Sequence, residues 1–260
     1  MEKGHQVQPL LEEEQRSARQ RVANFLSANR HQVRAVSFAF FLMAFMIAIP
    51  AHIRNSLLHG LRAQPFIATM LFTFSILGLS LLWSTGQRID TWAFLIFNLR
   101  GRRPSWLDWS MLSFTQLGSG LTALVIAVLL YILRYRRLAN EFVLGTLTLW
   151  LLVELFKVAF RRSRPYLRLA QTRIVGLRTR GQSFPSGHTS QAFFMVTLLV
   201  QHFHVAIWLA ILLYVVAALV AVTRMYVGAH YPRDVAAGAM LGSIWGLLGI
   251  LIDNYFLAPR

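Results

Sequence analysis

Apolar residues along this chain gather in long, nearly unbroken windows, without the strict alternation that marks a half-buried strand. Seven windows stand out, at 35–53, 66–84, 117–134, 139–157, 189–204, 205–223 and 236–252. A helix needs about 20 mostly apolar residues to cross a bilayer, so each window reads as a spanning helix or nearly one. Pro50 sits near the end of the first, where a helix stops or kinks. The fifth and sixth windows are separated only by residues 201–204, which predicts a tight helical hairpin. The missing period-2 alternation excludes a transmembrane barrel. The expected fold class is therefore an all-α integral membrane protein.

The polar stretches between windows are uneven. Residues 1–34 form a polar tail with acidic Glu12–Glu14 and basic Arg16, Arg19, Arg21, Arg30 and Arg34. It is too long, and its apolar run starts too late, for a secretory signal peptide. The gap 85–116 is half apolar, with six Trp and Phe among its 32 residues, and is expected to lie along the interface as amphipathic helices. The gap 158–188 holds seven arginines, and the short gap 224–235 holds Arg224, His230, Arg233 and Asp234. If all seven windows span, these three gaps and the tail share one face of the membrane.

Composition agrees with that reading. The chain of 260 residues is 56% hydrophobic and 14% charged, where a soluble domain carries about 25% charge. Its net charge of +16 is spread through the gaps. Charge placed there meets lipid headgroups or sets topology. It lacks the compact basic patch with interleaved aromatics that binds nucleic acid, so no nucleic-acid partner is expected. The absence of cysteine excludes a thiol nucleophile, a disulfide and a cysteine metal site. Lysine occurs only at Lys3 and Lys157, against 24 arginines, which singles out position 157.

Three polar clusters sit at the edges of apolar windows. The first is KVAFRRSRP at 157–165, the second FPSGHTS at 184–190, the third TRMYVGAHYPRD at 223–234. In the second, Pro185 suits a first helical turn, and Ser186, Gly187 and His188 would place N–H groups and a hydroxyl at a helix N-terminus, a ready anion site. In the third, Asp234 lies one helical turn after His230 and can bond its ring. Arg224 offers a two-pronged donor for phosphate oxygens. Each cluster also has an ordinary reading: a Pro-Ser-Gly turn bearing a histidine, an aspartate capping its own helix beside a surface histidine, and positive residues ending a membrane helix. Their occurrence in order, all on one expected face, is what separates the two sets of readings. Asp90, Asp108 and Asp234 are the non-tail carboxylates on that face and lie far apart in sequence. A two-metal phosphatase needs several carboxylates or histidines at one site, so no metal or other cofactor is expected. Glu154, three residues before Lys157, can orient it. His202 and His204 fall in the opposite turn.

The pattern K-x6-RP, then PSGH, then TR-x5-H-x3-D resembles the three-part signature of the type 2 phosphatidic acid phosphatase superfamily, with Thr223 where serine is usual. The resemblance covers about residues 66–252. It implies a six-helix phosphatase core over 66–260, with 35–65 as an additional N-terminal transmembrane helix and loop after the 1–34 tail. It implies that His230 attacks phosphorus and forms a phosphohistidine, and that Asp234 orients His230. His188 would protonate the leaving oxygen and then activate water. Lys157, Arg164, Ser186, Gly187 and Arg224 would hold the phosphate oxygens. The seven apolar windows favour a lipid phosphate as substrate, such as phosphatidate, phosphatidylglycerol phosphate or polyprenyl diphosphate. The same residues would serve a phosphotransferase that uses an acceptor other than water. The resemblance points to a multi-pass protein of a bacterial inner membrane with its active site facing outward, whereas the positive-inside count points to the cytoplasm.

Overall fold

In the computed structural model, the described residues are 65–252 apart from 82, 83, 99, 100, 102 and 179, with scattered positions between 37 and 64. The window 35–53 and its proposed extra helix lie largely outside the described residues. The chain divides into two compact units, Met1–Ile49 and Pro50–Arg260, and the second is described below.

Nine helices follow one another among the described residues, with no strand: α1 (Pro65–Ser80), α2 (Ser84–Phe97), α3 (Ser105–Gln116), α4 (Gly120–Ile132), α5 (Arg136–Phe160), the single turn α6 (Pro165–Arg168), α7 (Gly187–Phe203), α8 (Ile207–Tyr226) and α9 (Pro232–Ile252). Each apolar window from 66 to 252 falls on one of them. α5, with the α6 turn that continues it, and α8 are long and apolar enough to cross a membrane by themselves. α3 and α4 qualify together, bent by 55° at their junction. Part of the gap 85–116 is thus a helix that continues into the next apolar window through a bend. The junction turns at Gly118, where a Cβ would lie 2.4 Å from the His188 carbonyl oxygen. The expected hairpin forms between α7 and α8, with His204 in the left-handed region closing α7.

Large apolar side chains stay exposed on α4 (Leu121, Val128), α5 (Leu144, Trp150) and α8 (Ile211, Leu212). A surface of this kind belongs against lipid tails. α7 and α9 are the inner pair and pack most extensively on each other. Gly238, Gly242 and Gly246, four residues apart, face α7, and a Cβ at Gly242 would lie 2.1 Å from the Ser190 carbonyl oxygen. Small residues at this spacing let two membrane helices touch along their backbones. The core beside them is built from Phe142, Leu149, Phe184, Phe194 and Leu241. This close packing holds the starts of α7 and α9 together, and with them the second and third polar clusters.

Candidate active site

The three clusters converge where α5 ends, α7 begins and α8 turns into α9. α5 stops at Arg161, a left-handed C-cap. The chain then leaves as Arg162-Ser163-Arg164, and the Ser183 N–H donates to the Arg162 carbonyl at 2.8 Å. α7 is capped at Ser186, so Pro185 precedes the helix and does not occupy its first turn as expected. The Ser186 N–H donates to the Asp234 carbonyl at 3.0 Å, joining the second cluster to the third. Gly187 and His188 open α7, where the first N–H groups have no carbonyl one turn earlier to accept them.

The last turn of α8 carries Arg224, whose carbonyl accepts from the N–H groups of Ala229 (3.1 Å) and His230 (3.2 Å). Gly228 makes this reversal at φ +84, against the Arg173 carbonyl, where a Cβ would come within 2.5 Å. α9 then starts at Pro232. Asp234 Oδ2 accepts from the Tyr231 N–H at 2.9 Å, the reach of a third-residue acid back to the helix cap.

His230 is buried. Its Nδ1 lies 2.7 Å from the Ser183 carbonyl oxygen. A carbonyl only accepts, so Nδ1 carries the proton and a neutral ring leaves its lone pair on Nε2. Asp234 Oδ2 is 3.7 Å from Nδ1, an ionic neighbour beyond hydrogen-bond reach. The bond expected between the two residues is thus made by the Ser183 backbone instead. Arg164 Nη1 donates to Nε2 at 3.2 Å. Burial, with Arg164 and Arg224 close by, pushes the His230 ring down to about 3, although Asp234 acts in the opposite direction. At neutral pH the ring is an uncharged base with its free nitrogen facing a cation.

Arg164 spends most of its donors on the protein, reaching the carbonyls of Gly181 (3.1 Å), Ala229 (3.1 Å) and Arg180 (3.1 Å) besides His230. Guanidinium has five N–H donors, so one remains for a ligand in this arrangement. Arg224 donates to Thr115 Oγ1 at 2.8 Å. Its Nε is buried with no partner among the described residues. Lys157 Nζ donates to Glu154 Oε1 at 2.7 Å, so the expected orienting pair is present. Lys157, Arg164, Arg224 and His230 all lie close enough to act electrostatically on His188.

Two cavities meet at His188. One, of about 530 Å³, runs between α4, α5 and α7 past Leu124, Val143, Leu147 and Trp150, and ends on Glu154, Lys157, Gly187 and His188. The other, of about 320 Å³, is walled by Thr115, Tyr166, Arg178, His188, Arg224 and Ala229. Among the described residues no group of three or more histidine or carboxylate side chains is placed to hold a metal ion. The structure therefore gathers the sequence-selected residues at one end of the bundle.

Two groups escaped the reading of the sequence. Ser183 acts through its backbone, which leaves no mark in residue type. Arg162 donates to Asp234 Oδ1 at 2.5 Å and also to Asp90 Oδ2. Arg162 stood in plain view within RRSRP, but the run reads equally well as the basic end of a membrane helix.

The profile of the PAP2 superfamily matches residues 138–257. The chain is 33% identical over 131 residues to the undecaprenyl-diphosphatase of Sulfolobus acidocaldarius, covering 50% of this chain and 62% of that protein. It is 36% identical over 85 residues to the lipid A 4'-phosphatase of Bacteroides thetaiotaomicron, covering 33% of this chain and 35% of that one. It thus spans less than two thirds of the length of either curated relative. The crystal structure of the transmembrane PAP2-type phosphatidylglycerolphosphate phosphatase of Bacillus subtilis superposes with a TM-score of 0.63 at 26% identity, covering 75% of this chain and 98% of that one.

Proposed function

We propose that this chain, whose residues 138–257 match the profile of the PAP2 superfamily, is a membrane phosphatase that removes a phosphoryl group from a lipid phosphate by attack of His230. The observation that carries this reading is the Nδ1–H bond to the Ser183 carbonyl. It leaves the Nε2 lone pair of a neutral, buried ring beside Arg164 and next to the cavities that His188 shares. A nucleophile held in one tautomer is what phosphoryl transfer to histidine requires.

In the first step Nε2 forms a bond to phosphorus while the bond from phosphorus to the lipid oxygen breaks. His188, protonated as the anionic phosphate seats beside it, gives its proton to that oxygen. In the second step neutral His188 takes a proton from water. The water oxygen bonds to phosphorus, the N–P bond breaks, and His230 and inorganic phosphate are released. Arg224, Arg164, Lys157 and the start of α7 hold the phosphate oxygens, and such positioning and charge supply most of the catalysis in phosphoryl transfer. Asp234 supports the ring as it becomes cationic in the phosphohistidine. The Asp234 carboxylate acts from 3.7 Å.

The apolar cavity supports a lipid as the substrate class. Its walls are hydrocarbon over most of their length, and its polar end is the Lys157–His188 corner. A single-chain or two-chain lipid with its phosphate at that corner fits this order. Phosphatidate, phosphatidylglycerol phosphate and a polyprenyl diphosphate form the assay panel. Purified wild type is expected to release inorganic phosphate from at least one of them. His230→Ala is expected to lower turnover by at least about a thousandfold with the protein still folded. Retained turnover in that variant would sink the mechanism. Acid-labile radiolabel on wild type but not on the variant, after a rapid quench with labelled substrate, checks the intermediate directly.

A further inference from the structure

Asp90 lies on α2, outside all three polar clusters and outside the 138–257 stretch that the family profile matches. It is nonetheless among the most buried charged residues described, at 3% exposure. Its Oδ2 accepts from Arg162 Nη2, and its Oδ1 accepts from the Arg233 N–H at 3.0 Å. The Arg233 guanidinium lies 3.2 Å from Oδ2 and reaches across to the Ser80 carbonyl at 2.7 Å. Arg162 is therefore shared. One arm goes to Asp90 and, at 2.9 Å, to Gln87 Oε1. The other goes to Asp234. Its face covers the Tyr231 ring, 4.2 Å from the ring centre. Tyr231 is the residue next to His230.

We infer that Asp90 is a positioning residue for the reaction: by taking up half of Arg162 it leaves the Asp234 carboxylate only partly neutralised, so that it can stabilise positive charge on His230. The inference rests on the phosphatase reading above. Charge counting shows why. Asp90 and Asp234 balance Arg162 and Arg233 in a group of four, in which Asp90, Asp234 and Arg162 are buried and Arg233 is half-buried. If Asp90 becomes neutral, the group carries a net positive charge beside a ring that must itself become cationic when Nε2 bonds to phosphorus. Low-dielectric surroundings make such an imbalance costly. The same extra positive charge does not oppose, and slightly favours, the binding of an anionic phosphate. Loss of Asp90 thus strikes the bond-making step and spares binding. A site that had merely lost its shape would bind substrate poorly as well.

The test compares Asp90→Asn with wild type on whichever panel lipid wild type hydrolyses best, with activity expressed per folded molecule after size-exclusion in detergent. The expected result is kcat lower by about tenfold or more, KM unchanged or smaller, and inhibition by inorganic phosphate unchanged or tighter. Asp90→Glu, which keeps the charge, is expected to recover kcat to within about threefold of wild type. A kcat for Asp90→Asn within twofold of wild type overturns the inference. So does a rise in KM with weaker phosphate inhibition. If Asp90→Asn does not fold, Asp90→Glu decides: kcat within about threefold supports the inference, and a loss of tenfold overturns it. Wild type inert on the whole panel overturns the phosphatase reading together with this one, whereas active wild type beside a fully active Asp90→Asn overturns this one alone.

Discussion

The surroundings of His230 and of His188 differ in a way that sets their tasks apart. His230 is enclosed: its two ring nitrogens meet Ser183 and Arg164, and its loop is tied to α2, α5 and α9 through Asp234, Arg162 and Asp90. His188 stands on the wall of two cavities and makes no side-chain hydrogen bond among the described residues. The lesson is one of division. Where the proposed mechanism forms its bond to phosphorus, the atoms are fixed beforehand, so little is left to reorganise during reaction. Where that mechanism brings in substrate and moves a proton to a leaving group and back from water, the site keeps room.

The enclosed side depends on α7 and α9 lying close together, and breaking that contact is expected to have the largest effect. Gly242→Val puts a branched side chain where even a Cβ would lie 2.1 Å from a backbone oxygen. Overpacking costs about 1–3 kcal/mol and occasionally more, and a backbone oxygen cannot move aside as a side chain can. The expected outcome is little folded protein on size-exclusion in detergent and a clearly lower unfolding midpoint. A variant that folds and works like wild type would show that the pair is not what secures His230.

The open side can be sharpened by filling the apolar cavity. Val143→Trp narrows it at a wall residue remote from the charged corner. Displacing about two methylenes of a lipid chain costs about 0.8 kcal/mol each, so kcat/KM for a long-chain lipid phosphate is expected to fall about tenfold. A short-chain, water-soluble phosphate ester should change by less than about twofold. Equal losses on both would mean that the chain does not lie there.

The smallest effect concerns pH. His230 has its ring lowered from the ordinary 6.5 to about 3 in the folded protein. Between those values the unfolded chain takes up a proton that the folded one refuses. The stability tied to the neutral ring is complete above about pH 6.5 and is lost as pH falls toward 3, at up to about 1.4 kcal/mol per pH unit. Unfolding midpoints of wild type and His230→Asn, followed from pH 7.5 to 5, are expected to differ in slope, with the variant flatter in the acid range. Parallel slopes would mean that the ring is not held neutral by its enclosure.

Much of the fold and of the candidate site is legible in the sequence. Apolar runs of spanning length marked six of the helices, because a bilayer imposes one length and one composition on whatever crosses it. The PSGH and R-x5-H-x3-D spacings marked the site, because a helix N-terminus and a helical turn place such residues by local geometry alone. The gap 85–116 was harder. Its aromatic content suggested a surface-lying segment, but α3 continues into α4 through a 55° bend, and Gly118 at that bend packs against His188 of α7 and Val220 of α8, neighbours that are remote in sequence. Asp90, Asp108 and Asp234, noted as widely separated in sequence, have quite different fates: Asp108 clasps Arg173 and Tyr226, while Asp90 and Asp234 meet on one arginine.

By itself the sequence determined that this is a helical membrane protein and singled out the histidines, arginines and lysine to which we assign the chemistry, since composition and short-range spacing are enough for both. The tertiary structure decided which nitrogen of His230 is free, what holds it, and that α2 contributes a carboxylate to its support. The His230–Ser183 bond spans 47 residues, and the Arg162 contacts to Asp90 and Asp234 span 72 each. Contacts at that range, one of them through a backbone carbonyl that every residue possesses, come into being only when the chain folds.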